Sequence, residues 1–140
     1  MDTDGGNVQI IYDGGPGIST PGFAPGNYDP SWSPDDQWII FERATAYNGE
    51  NWDSGTWHIF KVKVDGSGIT DLSLTGGHDD RAEYLPSFSP DGQFIVFGSI
   101  YEAASPGDSH NDIFKMDATG NSLTRLTFDP ANDMYPVWIH

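Results

Sequence analysis

The segment Pro30–Phe41, Pro-Ser-Trp-Ser-Pro-Asp-Asp-Gln-Trp-Ile-Ile-Phe, returns as Pro86–Phe97, Pro-Ser-Phe-Ser-Pro-Asp-Gly-Gln-Phe-Ile-Val-Phe. A chain that repeats itself in this way folds as a series of equivalent units, each burying its apolar side against the next. Within the repeat, Pro34 and Pro90 fix φ in a turn, and Asp36 or Gly92 stands where φ is unusual. Each copy therefore predicts strand, tight turn, strand.

The echo continues beyond this hairpin. Ile59-Phe60-Lys61-Val62 returns as Ile113-Phe114-Lys115-Met116, each followed by a Gly-bearing turn and a Leu-containing strand. Every unit then has strands A (around Trp32 and Phe88), B (Trp38–Phe41 and Phe94–Phe97), C (His58–Val62 and Asp112–Met116) and D (Ile69–Leu74 and Leu123–Phe128). Four short strands at a period of about 50 residues predict an all-β fold of β-propeller blades, each of four antiparallel strands, with almost no helix.

The organisation expected is two complete blades with partial blades at both ends. Residues 1–27 read as the outer strand of a preceding blade and a long Gly/Pro-rich connection, and residues 28–83 as blade one with its D-to-A loop. Residues 84–133 read as blade two with its loop, and 134–140 as the first strand of a truncated third blade, in which Trp138 matches Trp32 and Phe88. The recurring aromatics Trp32, Trp38, Phe41, Phe88, Phe94, Phe97 and Trp138 are expected to form the core between blades. A closed ring needs about four blades. The chain is thus expected not to close alone, its flanks being covered by neighbouring copies or by other parts of a parent protein.

Antiparallel strands place the tight A–B and C–D turns at one end of each blade and the long B–C and D–A connections at the other. Most of the 21 acidic residues fall in the long connections, and function is expected there. A net charge of −15 disfavours nucleic acid and anionic membrane surfaces as partners. Cysteine is absent, so disulfides and thiolate metal sites are excluded. No apolar run is long enough for a membrane-spanning helix, and Met1–Gly6 has neither the basic start nor the apolar stretch of a signal peptide.

The repeated Pro-x-(Trp/Phe)-Ser-Pro-Asp-(Gly/Asp)-x-x-Ile-x-Phe, followed by Ile-Phe-x-(Val/Met) and a Gly turn, resembles the TolB-like β-propeller repeat, the Pro-Asp relative of the WD-type repeat. Tyr135-Pro136-Val137-Trp138 begins a third copy. The resemblance implies a periplasmic or extracellular scaffold that binds proteins, or the gating, non-catalytic domain of a serine oligopeptidase. Propellers host many activities, so the fold alone does not choose between these. Asp36 in place of the usual Gly, long B–C loops and the short third copy depart from the pattern.

The ligand-face candidates are Tyr47, Trp52 and Asp53 in one B–C connection, His78, Asp79 and Asp80 in a D–A loop, and Asp108, His110 and Asp112 in the second B–C connection. Tyr47 and Trp52 have no apolar counterpart in the second unit and suit a contact surface. No catalytic residue, metal site or cofactor is assigned. Asp2-Thr3-Asp4-Gly5-Gly6-Asn7 begins like a calcium loop but lacks the later acids, and Ser33 and Ser89 are turn residues with no nucleophile motif around them. The reading is a non-catalytic scaffold whose partner is a protein or another copy of the chain. Its rivals are a metal-assisted carbohydrate-active site using His78 and His110, a self-assembling structural protein, and the gating propeller of an absent peptidase domain.

Overall fold

A computed structural model of the chain describes residues 6, 8–12, 26–47 (Tyr47 by its backbone), 55–100 and 110–139. The described residues form two antiparallel meanders of four strands each, in the orders β1-β2-β3-β4 and β5-β6-β7-β8. Blade one comprises β1 (Tyr28–Trp32), β2 (Trp38–Tyr47), β3 (Gly55–Lys63) and β4 (Thr70–Asp71). Blade two comprises β5 (Glu83–Phe88), β6 (Phe94–Ile100), β7 (Asn111–Asp117) and β8 (Thr124–Arg125). The chain is nearly all β and built of propeller-type blades, as the repeat predicts.

Register explains which side chains meet. In β2 and β3, Ile39 lies opposite Val62 and Phe41 opposite Phe60, whereas Ile40 lies opposite Lys61 and Glu42 opposite Ile59. Alternation sends the first set to one flank of blade one and the second to the other. Ile40 and Ile59 join Leu72 in a core with Phe88, Ile95, Phe97, Phe114 and Met116 of blade two. The other flank, Ile39, Phe41 and Val62, is covered by Ile11 and Tyr12, and Arg43 donates to the Tyr12 hydroxyl at 2.9 Å.

The tight turns are built alike. Asp35 Oδ1 accepts from the Ser33 hydroxyl and from Gln37 N–H, and Asp91 Oδ1 accepts from Ser89 and Gln93 in the same way. Asp36 and Gly92 both lie in the left-handed region, with φ of 56° and 70°. The C–D turns lock onto them, because Val64 N–H donates to Gln37 O at 3.1 Å and Ala118 N–H to Gln93 O at 2.9 Å.

The D strands are shorter than expected, each pairing through two residues. After Asp71 the chain turns into the helix α1 (Leu72–Gly76) instead of continuing as strand. Asp71 caps it by accepting from Leu74 N–H, and Gly77, at φ 71°, ends it in the left-handed conformation. Residues 8–12 join no strand ladder, and neither do residues 134–139. Trp32, expected in the core, is 54% exposed: it sits beside Ile39 on the flank away from blade two, where its repeat-equivalent Phe88 faces blade one.

Candidate functional site

Of the expected contact residues, Trp52, Asp53, Asp108 and the side chain of Tyr47 lie outside the described residues. Asp79 and Asp80 are exposed in the D–A loop, and His110 is half-buried immediately before β7. The remaining two belong to the interior. His78 is 2% exposed, its Nδ1 lying 2.5 Å from Glu83 Oε1 and its Nε2 3.1 Å from the Gly120 carbonyl. Asp112 is likewise buried and pairs with Arg125 at 2.7 Å. Neither presents a ligand group to solvent, which corrects the expectation for both, and His78 is unavailable as a metal ligand.

These buried charges have a structural logic. His58 and Asp112 occupy equivalent places in the two C strands, and Asp71 and Arg125 equivalent places in the two D strands. Blade one joins its C and D strands through His58 and Asp71, at 2.7 Å, and blade two through Asp112 and Arg125, with the signs reversed. The backbone is tied in the same way in both, since Ile59 N–H donates to Ser73 Oγ and Ile113 N–H to Thr127 Oγ1, each at 2.9 Å. Hydroxyls thus take over where the D ladder stops.

Both buried histidines face acceptors at both ring nitrogens, for His58 Nε2 lies 3.0 Å from the Asp79 carbonyl. A neutral imidazole donates only once, so the geometry selects the imidazolium. Burial opposes that charge in His78, but the Glu83 carboxylate outweighs it and the pKa rises above its ordinary value. Burial and Asp71 act on His58 in the same two senses, again with a net rise.

Ser73, Glu83 and His78 do not form a nucleophilic site. The Ser73 hydroxyl donates to Glu83 Oε2 at 2.6 Å, not to the imidazole, and all three residues are buried. They join the D–A linker to blade two, where His78 also stacks on Phe97. Among the described residues, no three His, Asp or Glu side chains gather as a metal site.

A cleft of about 340 Å³ opens between the blades at the tight-turn end, with Asp35 and Asp91 on its rim and Trp38, Lys61 and Phe88 in its wall. The Ser33 and Ser89 hydroxyls hold the pKa of Asp35 and Asp91 below the ordinary carboxylate value. Lys61 is taken up within the joint: it lies over the Trp38 ring and donates to the Ala118 carbonyl across the two blades.

The second feature of the joint is Glu42, which has no counterpart in blade two because Gly98 stands at that place. Its Oε2 accepts from Leu85 N–H of blade two at 2.5 Å. Leu85 points its N–H there from a left-handed conformation, φ 55°, and its repeat-equivalents Asp29 and Tyr135 share that conformation at 48° and 59°. A left-handed bulky residue before proline is rare, so its recurrence in three copies marks it as a built feature of the A strand.

The class this geometry defines is a pair of propeller-type blades with an ionic, hydrogen-bonded joint. No protein-family model matches the chain. Two curated relatives are similar to it over 138 residues, 99% of the chain: the Tol-Pal system protein TolB of Anaeromyxobacter dehalogenans strain 2CP-C, at 28% identity, and that of strain 2CP-1, at 29%. A solved structure assigned to TolB from Agrobacterium tumefaciens matches with a TM-score of 0.52 and 27% identity, over 72% of this chain. The fold is therefore TolB-like. The chain spans 25% of the length of those curated relatives and 33% of that solved chain.

Glu42, Glu83, His58 and Arg125 were not singled out by sequence reasoning. Alignment of the copies carries a signal for some of them: the reversed charges of His58/Asp71 and Asp112/Arg125 at equivalent positions, and Glu42 opposite Gly98.

Proposed function

We propose that the chain is a non-catalytic propeller scaffold that docks protein through the outer flank of blade two. The observation that carries this reading is a set of exposed apolar side chains in the chain that follows β8. Phe128 is 72% exposed, Tyr135 71%, Val137 78% and Ile139 90%. The equivalent flank of blade one, with Ile40, Ile59 and Lys61, is sealed by blade two. Exposed apolar side chains after the last strand of a repeat suit a further blade, supplied by a neighbouring copy or by more of a parent protein. The resemblance to TolB proteins supports protein binding and a periplasmic or extracellular setting.

A basic protein suits the acidic long-loop end, given the net charge of −15. Contacts there are assigned to Tyr47, Trp52, Asp53, Asp79, Asp80, Asp108 and His110. Among the described residues, no helix is long and apolar enough to cross a membrane.

Sedimentation velocity across a wide concentration range tests the flank. The chain is expected to self-associate, and Val137→Asp with Ile139→Asp to make it monomeric without lowering its thermal midpoint. A monomer at every concentration, or association indifferent to the two substitutions, would count against this surface.

A further inference from the structure

We propose that residues 134–139 are a preformed A strand that takes up an extended segment of a partner protein by antiparallel strand addition, the segment having an aromatic residue followed by two β-branched residues and a Phe. This rests on the reading that the chain docks protein beyond β8, and it names what docks there and how. Residues 134–139 already carry the mark of an A strand. Tyr135 repeats the left-handed φ of Asp29 and Leu85, 59° against 48° and 55°, and stands before Pro136 as they stand before Pro30 and Pro86. Exposure then alternates as in a strand: Pro136 and Trp138 are half-buried, whereas Val137 and Ile139 are exposed. Trp138 Nε1 donates to the Ser87 carbonyl of β5 at 3.3 Å, and Asp133 N–H donates to the Asn111 carbonyl of β7 at 2.7 Å. The stretch is thus tied to blade two on both sides while it joins no ladder, and such preorganisation lowers the cost of binding.

The two complete blades show what such a strand pairs with. Trp32 lies opposite Ile39 and Ser31 opposite Ile40, and in blade two Phe88 lies opposite Ile95 and Ser87 opposite Val96. Ser33 N–H donates to the Trp38 carbonyl and Ser89 N–H to the Phe94 carbonyl, each at 2.9 Å. Val137, Trp138 and Ile139 are the third set of equivalents. A matching segment therefore sets an Ile opposite Trp138, a β-branched residue opposite Val137 and the carbonyl of an aromatic residue on Ile139 N–H. Main-chain hydrogen bonds hold a strand added in this way, and its side chains select it.

The segment comes from another protein rather than from a hairpin of the usual kind or from a second copy. In blades one and two the A–B turn opens with Ser-Pro, and the serine hydroxyl accepts from the first N–H of the B strand, that of Trp38 or Phe94, at 2.9 Å. Ile139-His140 stands in that place, and Ile139 has no hydroxyl to hold the turn. In a second copy, both described strands of the required sequence are paired along both edges, β2 between β1 and β3 and β6 between β5 and β7. Neither can be offered without opening a sheet.

The probe is a synthetic peptide with the sequence of residues 36–43, Asp-Gln-Trp-Ile-Ile-Phe-Glu-Arg, added to the 15N-labelled 140-residue chain. Amide exchange at Val137 and Ile139, followed by two-dimensional NMR, is expected to slow roughly tenfold or more at saturating peptide, because both N–H groups pass from water into a ladder. A peptide with Asp at both Ile positions is expected to change nothing. In Ile139→Pro, which removes a donor and touches no described ladder, protection of Val137 by the first peptide is expected to be lost. No protection at millimolar peptide, protection of Val137 that persists in Ile139→Pro, or protection confined to other strands would each overturn the proposal. Should Ile139→Pro fail to fold, the wild-type response to the two peptides still decides. Self-association that depends on Val137 and Ile139 without protection by the peptide would overturn strand addition and leave the docking surface standing. Protection in a chain that sediments as a monomer supports strand addition and counts only against association of copies.

Discussion

Asp36 and Gly92 occupy the same turn position at the same left-handed φ, but only glycine reaches it without steric cost. Asp36→Gly is therefore expected to stabilise the chain by about 0.5 kcal/mol in a denaturant titration, with an unchanged m-value. A loss of stability would mean that the Asp36 side chain contributes something the turn geometry does not reveal. Trp32 and Phe97 make a second contrast between residues of similar type. Phe97 is fully buried between the blades, and Phe97→Ala is expected to cost about 3–5 kcal/mol through lost burial and the cavity left behind. Trp32, 54% exposed, is expected to cost under about 1 kcal/mol when replaced by Ala. Equal costs at the two positions would mean that the outer flank of blade one is covered in solution.

At the scale of the element, each blade closes on a D strand that pairs through only two residues, so the C–D connection depends on side chains. Arg125→Ala leaves Asp112 buried without its cation and is expected to cost about 3 kcal/mol. Replacing the pair with that of blade one, Asp112→His with Arg125→Asp, is expected to recover most of the loss, because the local frame already supports the reversed polarity. A double-mutant cycle measures this coupling, and strict additivity would show that the pairs do not act as units. The repeat pattern made strands A, B and C legible through their apolar alternation. It did not reveal that D would give way to α1, because Asp71 and Gly77 act as caps through local hydrogen bonds that apolar periodicity does not register.

For the whole molecule, His58, His78 and Glu42 point in one direction. The His58 and His78 values are raised, so their stabilisation is complete below the ordinary histidine value and is lost as pH climbs through the raised one. Glu42 acts in the same sense: a rise from 4.5 to about 7 corresponds to roughly 3 kcal/mol, present at acid pH and lost towards neutrality. Stability is thus expected to decline between mildly acid and mildly alkaline pH. Denaturant midpoints across that range test it, and the slope should flatten in His78→Gln, which cannot donate to Glu83 and Gly120 with a titratable group. A midpoint that rises with pH over that range would contradict the doubly donating assignment of both histidines.

The sequence by itself determined the repeat, the turns and the order of strands, because these depend on local conformational preference and on an alternation that recurs at fixed spacing. It also placed Phe88, Phe97 and their neighbours between the blades, since stacked units bury their apolar faces against each other, whereas Trp32 at the equivalent place in blade one is exposed. Only the tertiary structure decided the fate of the polar residues. His78 and Asp112 looked like surface loop residues and proved to be interior, because a buried charge is tolerated where a partner comes from elsewhere in the fold: Gly120 lies far along the chain from His78, and Arg125 on the adjoining strand from Asp112. Likewise Leu85 reaches Glu42 across 43 residues of sequence. Spacing along one chain carries no record of which partner a neighbouring strand or blade will bring within hydrogen-bond distance, and that juxtaposition sets the burial of these groups.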